Sequence, residues 1–361
     1  MNEQIRSAVA PDTIRKLQRA ADEAHAMVGG VQLEIFTHLA AGALTSAELA
    51  GRLDVQEDRL ARLLYALAVT GLLDVLDGRF SNTPEAAGFL VKGQPQYIGG
   101  YMAEGMQSLV WRADLLTAES IRSGRPAALH DFTDTSDEEM AVMIRGMRDG
   151  SMKDGAALAR RFDFSHCRSV VDVGGGSGGL VAALCQADPK LRGTLFDLPR
   201  TCRLAGPILR ESPGGERIAV EPGDILAAPP KGTYDAAVLR SVVQVFGPAD
   251  AASAIANAAS AVRPGGAVYI LAGVGILDDD RLGPADPVFR NVTLMNIYPA
   301  AAAYTESQHR AWLSQAGCGE LERAALPITN TQVIRATKRA QSGRTGVPGP
   351  ASKKNTGGVM P

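Results

Sequence analysis

Apolar and polar positions follow two different patterns along the chain. From residue 169 onward, short apolar runs such as "SVVDV", "TLFD" and "DAAVL" are separated by stretches that favour helices. Strands that alternate with helices predict a parallel sheet in a doubly wound α/β domain, which we place at residues 166–339. Two later runs, "GELERAALPI" and "TQVIRATK", are expected to form a hairpin-like pair at one edge of this sheet.

The first part of the chain, residues 1–110, has helical patterns instead. Thr45 lies three positions before Glu48, a capping-box spacing at the start of a helix. Leucines within residues 60–67 recur at i, i+3, i+4 and i+7, and Asp77-Gly78 is a favoured two-residue hairpin turn. Two helices followed by a short hairpin predict a winged helix-turn-helix.

DNA binding is the first alternative that a winged helix raises. The second helix of this motif begins "DVQEDRLARLL", with acidic residues where a recognition helix needs groups that contact bases and phosphates. The net charge of the chain is −2, so no overall attraction to nucleic acid or to a membrane surface is expected. We therefore interpret residues 1–110 as a protein–protein packing module.

Residues 111–165 are predicted to be a helical segment between the two domains. Together with the end of the first domain, this region is rich in methionine and aromatic residues, including Tyr101, Met106, Trp111 and Met143. Such residues either line an adaptable pocket for a flat organic molecule or form an ordinary core, and spacing alone favours the core.

The composition restricts the remaining possibilities. The 361 residues are 45% hydrophobic and 21% charged, which is typical of a globular protein. The first residues have no signal-peptide pattern, no apolar run is long enough for a membrane span, and the four scattered cysteines favour a reducing cytoplasm. Residues 340–361 are rich in Gly, Pro, Ser and Lys and are predicted to be a disordered tail. No metal-ligand spacing occurs.

The most informative segment is "VVDVGGGSGGL", residues 170–180. It follows the first predicted strand and precedes a helix, which is where ligands bind in open α/β sheets. Gly174 and Gly176 allow positive φ angles and a close approach of a ligand to the backbone. No Gly-Lys-Ser/Thr follows, so a P-loop is excluded.

Two further acids extend this pattern. Asp197 ends the next strand, where a carboxylate accepts the hydroxyl groups of a ribose. Asp224 follows the third strand, where it could accept from an adenine amino group while Ile225 lies against the ring. The series predicts an adenosine-containing cofactor, and nicotinamide dinucleotides share its first two signals.

The segments "VVDVGGGSGGL", "LFDLP", "GDIL", "DAAVLRSV" and "RPGG" resemble, in order and spacing, the motifs of S-adenosylmethionine-dependent methyltransferases. Over residues 15–338 the chain is similar to the small-molecule O-methyltransferase family of plant phenolics and bacterial natural products. The resemblance implies a Rossmann-like catalytic domain, an N-terminal winged-helix domain that forms a homodimer, and S-adenosylmethionine as cofactor.

The resemblance also implies roles for individual residues. Gly174 and Gly176 would meet the methionine part of the cofactor, Asp197 the ribose, and Asp224 with Ile225 the adenine, while Leu198 is a further cofactor-binding candidate. Arg240 stands where the family usually has a lysine near the cofactor. The remaining cofactor candidates form an M-x-x-x-S motif, namely Met147 and Ser151.

The family's catalytic residues are not kept. Its base is a histidine after the fourth strand, and Gln244 occupies that position here. Ala272 and Ala303 replace the two glutamates that orient this histidine. None of the five histidines is expected near a strand end of the sheet, so we predict catalysis by proximity and orientation, with C-, N- and O-methylation left open.

Other groups are weaker candidates for contact with substrate. The pocket floor of the family corresponds to Met295, Asn296 and Tyr298. His130 and Asp131 could together act as a general base over the pocket, although a solvated loop is the simpler interpretation. Four arginines could bind a substrate carboxylate, with surface charge as the default: Arg112, Arg122, Arg125 and Arg145.

Three functions therefore remain. The first is methyl transfer to a small natural-product acceptor. The second is a non-methylating reaction, such as rearrangement, decarboxylation or hydroxylation, that uses the charge of the same cofactor. The third, a non-enzymatic regulator, requires a basic recognition helix that the sequence does not provide.

Overall fold

The computed structural model describes residues 10–103, 106–130 and 135–340, with the Met106 side chain left aside. The chain divides into two compact units, Met1–Ala128 and Leu129–Pro361, and the division falls within the predicted helical segment 111–165. Within the described ranges, no helix has both the length and the apolarity needed to cross a bilayer. Residues 341–361 of the predicted tail and Asp131 lie outside these ranges, so the predictions made for them stay predictions.

The first unit is mainly helical. Its elements are α1 (Asp12–Gln32), α2 (Ile35–His38), β1 (Leu44–Thr45), α3 (Ser46–Leu53), α4 (Glu57–Val69), β2 (Leu73–Leu76), β3 (Arg79–Asn82), α5 (Pro84–Phe89), α6 (Gly100–Ala103), α7 (Met106–Asp114) and α8 (Thr117–Ser123).

Local signals in the sequence explain the winged helix formed by α3, α4, β2 and β3. The backbone N–H of Glu48 donates to Thr45 Oγ1 at 3.2 Å, and the N–H of Thr45 donates to the Glu48 carboxylate at 2.8 Å, which closes the predicted capping box. Asp77 and Gly78 join the two strands with φ angles of 49° and 74°, as a primed hairpin turn requires. The apolar face of α4 is buried in the core of the unit.

The second unit alternates strands and helices. Its elements are α9 (Asp137–Gly146), α10 (Arg148–Arg161), β4 (Ser169–Val173), α11 (Gly179–Ala187), β5 (Arg192–Asp197), α12 (Pro199–Arg210), β6 (Ile218–Pro222), β7 (Tyr234–Arg240), α13 (Pro248–Ser260), β8 (Val262–Ala272), α14 (Ala285–Ile297), α15 (Glu306–Gln315), β9 (Cys318–Ala325) and β10 (Gln332–Lys338).

The described strands of this unit form one seven-stranded sheet with the order β6-β5-β4-β7-β8-β10-β9. The first five of these are parallel neighbours, while β10 pairs antiparallel with both β8 and β9. The strand order reverses between β4 and β7, and ligands of doubly wound sheets bind at the carboxyl ends of strands at such a point. The predicted α/β class and the antiparallel edge pair are both confirmed.

Both faces of the central strands are covered, which explains why these strands read as continuous apolar runs. Val171 and Val173 pack into the cluster under α13 and α15, whereas Val170 packs with α10 and α11 on the other face. Asp172 shares the face of Val170 by strand alternation and is completely buried. The one acidic side chain of β4 therefore lies directly below the loop that follows the strand.

Candidate functional site

The glycine loop runs from the end of β4 to the start of α11. Gly174, Gly176 and Gly178 have φ angles of 65°, 57° and 72°, in the left-handed region that favours glycine. A methyl group added to Gly174 would lie 2.1 Å from Val242 Cγ2, so this glycine lets the loop pack against the segment after β7. A methyl group on Gly176 would meet no atom within 4 Å, so this position faces open space.

Asp197 links the glycine loop to the end of β5. Its Oδ2 accepts the N–H of Gly176 at 2.8 Å, and its Oδ1 accepts the N–H of Leu198 at 2.7 Å. Burial raises the pKa of this carboxyl, while the two backbone donors act in the opposite direction. The Thr201 side chain also hydrogen-bonds to this carboxylate, so of about four lone-pair sites one remains to accept from a ribose hydroxyl.

Asp224 and Ile225 follow β6 at the same edge of the sheet. Asp224 is exposed, and its Oδ1 accepts the N–H of Leu226 at 2.9 Å. Ile225 is buried, and its carbonyl accepts from Asn257 Nδ2 at 2.7 Å, which fixes the turn. The Leu198 side chain is exposed beside Asp197. An exposed carboxylate next to a fixed apolar residue is suited to an adenine amino group and ring.

Ser151 attaches α10 to the glycine loop. The buried hydroxyl donates to the Arg148 carbonyl at 2.8 Å and lies 3.2 Å from Ser177 Oγ. A methyl group on Gly179 would lie 2.3 Å from Ser151 Oγ, so the helix and the loop are in tight contact. Met147, one turn earlier, is half exposed.

Asp172 is a residue of the site to which the sequence reasoning gave no role. Neither of its carboxylate oxygens has a hydrogen-bond partner among the described residues. Burial raises its pKa from 3.8 to about 7, and the positive charge of Arg240 opposes this shift. A methyl group on Gly175 would lie 2.6 Å from the carboxylate, which places the acid immediately beneath the loop.

Arg240, the last residue of β7, is held by an ion pair. Its Nε donates to Asp154 Oδ2 at 2.7 Å, and Asp154 Oδ1 accepts from Thr331 Oγ1 at 2.7 Å. The Asp154 side chain is only 6% exposed, so the pair is largely removed from water. The sequence reasoning missed Asp154 and Thr331, because they are 177 positions apart in the chain and belong to no motif.

The position of the family's base is occupied by Gln244, in a short turn after β7. Its Oε1 accepts the N–H of Val274 at 3.3 Å, and its carbonyl accepts the N–H of Ala302 at 3.1 Å. Ala272 ends β8, and the N–H of Ala303 donates to Asn291 Oδ1 at 2.9 Å. None of these three side chains can titrate.

One expectation about histidines is wrong. His309 lines a small cavity of about 10 Å³ together with Gln244 and Ala272, so a histidine does lie near the end of β8. Its Nδ1 lies 2.9 Å from the Thr305 carbonyl, one helical turn earlier, and burial lowers its pKa. Helix α15 carries this residue inward, and a lone histidine in a helical pattern gave no signal of it.

The predicted substrate-pocket residues differ in their surroundings. Met143, Met295 and Tyr298 are half-buried, whereas Asn296 is completely buried. In the first unit, Tyr101 is exposed, and the Trp111 ring makes an edge contact with His25 at a centroid distance of 4.9 Å. The structure does not describe the Met106 side chain, and the pocket remains a prediction.

The structure also gives the surroundings of the weaker substrate-contact candidates, His130 and the four arginines. The His130 ring makes an edge contact with Tyr298 at 5.7 Å, and burial lowers the His130 pKa. Arg145 pairs with Glu211 at 2.9 Å. Arg112, Arg122 and Arg125 are exposed. Among the described residues, no group of acidic, histidine and cysteine side chains could hold a metal ion.

Comparison with known proteins adds to this geometry. A model of the O-methyltransferase domain matches residues 120–318, and a model of the O-methyltransferase dimerisation domain matches residues 23–92. This chain belongs to the O-methyltransferase family. It is an S-adenosylmethionine-dependent methyltransferase, and the domain at its N-terminal side is a dimerisation domain.

Individual relatives support this assignment. The chain is 30% identical to 3-hydroxy-5-methyl-1-naphthoate 3-O-methyltransferase of Streptomyces sahachiroi, over 89% of this chain and 93% of the relative. It is also 30% identical to aclacinomycin 10-hydroxylase of Streptomyces purpurascens, over 66% of each chain. The structure of human N-acetylserotonin methyltransferase with S-adenosylmethionine has a TM-score of 0.77 at 20% identity, covering 92% of this methyltransferase and 99% of the human chain.

The site of this methyltransferase fits S-adenosylmethionine in three respects. The open space at Gly176 is the region that a bound cofactor would fill. The Asp197 carboxylate beside it retains acceptor capacity for a ribose hydroxyl. Asp172 is an unpartnered acid beneath the loop, and an unpartnered buried acid is stabilised in its ionised form by a cationic ligand.

Proposed function

We propose that this methyltransferase transfers a methyl group to an oxygen of a small aromatic natural-product acceptor, without a titrating base at position 244. The observation that carries this proposal is Gln244 at the place of the family's histidine. Ala272 and Ala303 supply no carboxylate to support a base there. His309 is 2% exposed and its ring packs edge-on against Tyr304 and Trp312, so it is poorly placed to reach an acceptor.

Gln244 is suited to hold an acceptor oxygen rather than to deprotonate it. Its Oε1 is used by the N–H of Val274, which leaves the NH₂ end to face a ligand. A donor at this point stabilises an oxygen anion and lowers the pKa of a bound acid. The residue can therefore favour an acceptor that arrives ionised, without accepting a proton itself.

The chemistry supports catalysis by positioning. When bound, S-adenosylmethionine supplies a methyl group attached to a positively charged sulfur. The sulfur leaves as a neutral thioether, so its departure needs no acid. A phenol with an ordinary pKa of about 10 is rarely ionised at neutral pH and benefits from a histidine. An acceptor oxygen with a lower pKa needs only to be held in line at reaction distance. The hydroxynaphthoate acted on by the relative from Streptomyces sahachiroi indicates the size and aromatic class of acceptor.

A panel of small acceptors tests the proposal. Wild-type protein is incubated with S-adenosylmethionine labelled in the methyl group, and the release of S-adenosylhomocysteine and of methylated product is measured. We expect turnover on hydroxyarenes that are acidic and little turnover on simple phenols. The variant Gln244→His should gain activity on simple phenols without gaining it on the acidic acceptors. Equal activity of the wild-type protein on both classes would contradict the proposal.

A second function deserves the same experiment because one relative is a hydroxylase. An enzyme of this fold without the base could use the cofactor's charge in a reaction that leaves the methyl group in place. Such an enzyme would convert an acceptor while S-adenosylhomocysteine stays absent. Label found in the product instead assigns methyl transfer.

The dimerisation domain leads us to place a homodimer in the same proposal. The partner is a second copy of this chain, and the cofactor and a small-molecule acceptor are the ligands. No nucleic-acid partner is included, because the first turn of α4 carries exposed acids at Glu57 and Asp58.

A further inference from the structure

Ser241 has a strained backbone at the carboxyl end of β7. Its φ angle is 58°, in the left-handed region that costs a side-chain-bearing residue free energy. The strain is maintained by the sheet, because the N–H of Ser241 donates to the Leu271 carbonyl at 2.9 Å. Strained residues of this kind cluster at binding and catalytic sites, where the conformation directs a functional group.

The strain directs the hydroxyl toward the residues at the ends of β7 and β8. A methyl group added to Gly273 would lie 2.1 Å from Ser241 Oγ and 3.7 Å from Gln244 Oε1. The hydroxyl and the oxygen end of the Gln244 amide therefore both lie beside Gly273. On the other side, Val242 packs against Gly174, which brings this turn next to the glycine loop.

The Ser241 hydroxyl makes no hydrogen bond to the described residues that would explain the strained backbone. It is not one of the buried unsatisfied groups, so solvent reaches this oxygen of a half-buried residue. The neighbouring Arg240 is bonded to Asp154. A hydroxyl that solvent reaches and that makes no bond within the fold is free to donate to a ligand.

We infer that Ser241 is a second acceptor-binding residue, which donates a hydrogen bond to the same ionised oxygen that Gln244 holds. The inference rests on the proposed function and narrows its substrate class to acceptors whose oxygen ionises near or below neutral pH. Acidified phenols, enols and carboxylates belong to this class. Two donors on one oxygen favour the anion over the neutral acid.

The step then balances without a base in the protein. The acceptor loses its proton to water before transfer, since its bound pKa is low. A lone pair of the acceptor oxygen forms the new O–CH₃ bond while the S–CH₃ bond breaks and its electron pair returns to sulfur. The products are a neutral methyl ether or ester and a neutral thioether. Ser241 and Gln244 hold the oxygen in line and transfer no proton.

A binding experiment with 4-nitrophenol tests the inference apart from turnover. The absorbance of the nitrophenolate reports the pKa of the bound phenol in the complex with S-adenosylhomocysteine. We expect the wild-type protein to lower this pKa below that of the free phenol, and Ser241→Gly to lose a large part of the shift. An unshifted pKa in the wild-type complex, failure of the phenol to bind, or equal shifts in both proteins would each overturn the inference.

Glycine is the appropriate replacement because it removes the hydroxyl and relieves the φ angle together. Ser241→Gly should therefore keep or raise the melting temperature and keep the Kd for S-adenosylhomocysteine. Arg281→Gly is the matched control, since Arg281 has a φ angle of 61° in a turn and is exposed. It should match Ser241→Gly in stability and leave the phenol pKa unchanged.

Turnover supplies a second readout. On acidic hydroxyarenes, Ser241→Gly should lower kcat/KM by about tenfold, which is typical for the loss of one hydrogen bond to a charged group. Turnover by the wild-type protein together with an unchanged rate in Ser241→Gly would overturn the inference alone. No methylated product from wild-type protein on any acceptor would contradict the proposed function, while the nitrophenol titration would still decide the role of Ser241.

Discussion

Gly176 combines a left-handed backbone with open space on its Cα. An alanine there would be strained at a φ angle of 57°, at a cost of about 1 kcal/mol in the free energy of unfolding. Its methyl group would also enter the space assigned to the cofactor, where overpacking costs about 1–3 kcal/mol. We expect Gly176→Ala to raise the Kd for S-adenosylhomocysteine by about tenfold or more, measured by calorimetry.

The matched control for this substitution is Gly265→Ala. Gly265 has a φ angle of 81°, also meets no atom within 4 Å, and lies at the start of β8, away from the carboxyl ends of the strands. It should show the same loss of stability with an unchanged Kd. Equal Kd values for the two variants would place the cofactor elsewhere.

We expect the affinity for the cofactor to depend on pH through Asp172. The raised pKa of this carboxyl determines the direction of the dependence. In the folded protein the pKa is about 7, against 3.8 as the ordinary value, so the native state binds the extra proton between these pH values. Stability therefore falls as the pH rises from about 4 to 7, and this effect is complete above pH 7. A cationic ligand favours the ionised acid, so affinity should rise over the upper part of the same interval.

Calorimetry in two buffers of different ionisation enthalpy measures this coupling directly. Below pH 7, binding of S-adenosylmethionine should release protons from the wild-type protein and fewer from Asp172→Asn. Any release that remains in the variant reports on Asp197, whose pKa burial also raises. A wild-type Kd that stays constant with pH and involves no proton release would contradict the coupling.

At the scale of secondary-structure elements, Asp154 connects α10, the end of β7 and the residue before β10. The Thr331 hydroxyl donates to this buried carboxylate at 2.7 Å, and a hydrogen bond to a charged group contributes about 1.5–3 kcal/mol. We expect Thr331→Val to reduce the free energy of unfolding by about that amount, less the gain from its added apolar surface. Urea denaturation measures the change.

Thr337 provides the contrasting variant within β10. Its Oγ1 is buried and has no hydrogen-bond partner among the described residues. Thr337→Val therefore removes a threonine hydroxyl, as Thr331→Val does, but one that is unsatisfied. This variant should be as stable as the wild type or more stable. Equal losses of stability at both positions would mean that the hydrogen bond to Asp154 contributes nothing.

The elements differ in how far the sequence could predict them. Strands β4 to β8 follow from apolar runs, and the glycine loop and Asp197 follow from their spacing, because local pattern and local geometry agree there. The partners of Arg240 could not be predicted, because Asp154 and Thr331 meet it only through the packing of distant elements. The strain at Ser241 is equally invisible, since nothing in a serine's neighbours along the chain specifies a positive φ angle.

At the scale of the whole molecule, the first half of helix α1 packs against little of the chain that the structure describes. Residues 12–23, its first half, are all exposed, and they include Ile14 and Leu17 with 62% and 66% of their surfaces accessible. These two apolar residues are three positions apart and share one face of the helix. A helical extension of this length is marginal in water without tertiary contacts.

The dimerisation domain gives a reason for this exposed half-helix, because a second copy could cover its apolar face. The double variant Ile14→Glu with Leu17→Glu should therefore shift the protein from dimer to monomer in sedimentation equilibrium, since each charge would have to be buried at the interface. In the resulting monomer, hydrogen exchange should show residues 12–23 less protected than the rest of α1, because the extension loses the contacts that hold it helical.

Leu115→Glu is the control: Leu115 is 85% exposed in the same unit but lies outside α1, and its variant should remain dimeric. A double variant that stays dimeric would assign the interface to another surface, and protection of residues 12–23 in a monomer would show that the half-helix is stable by itself.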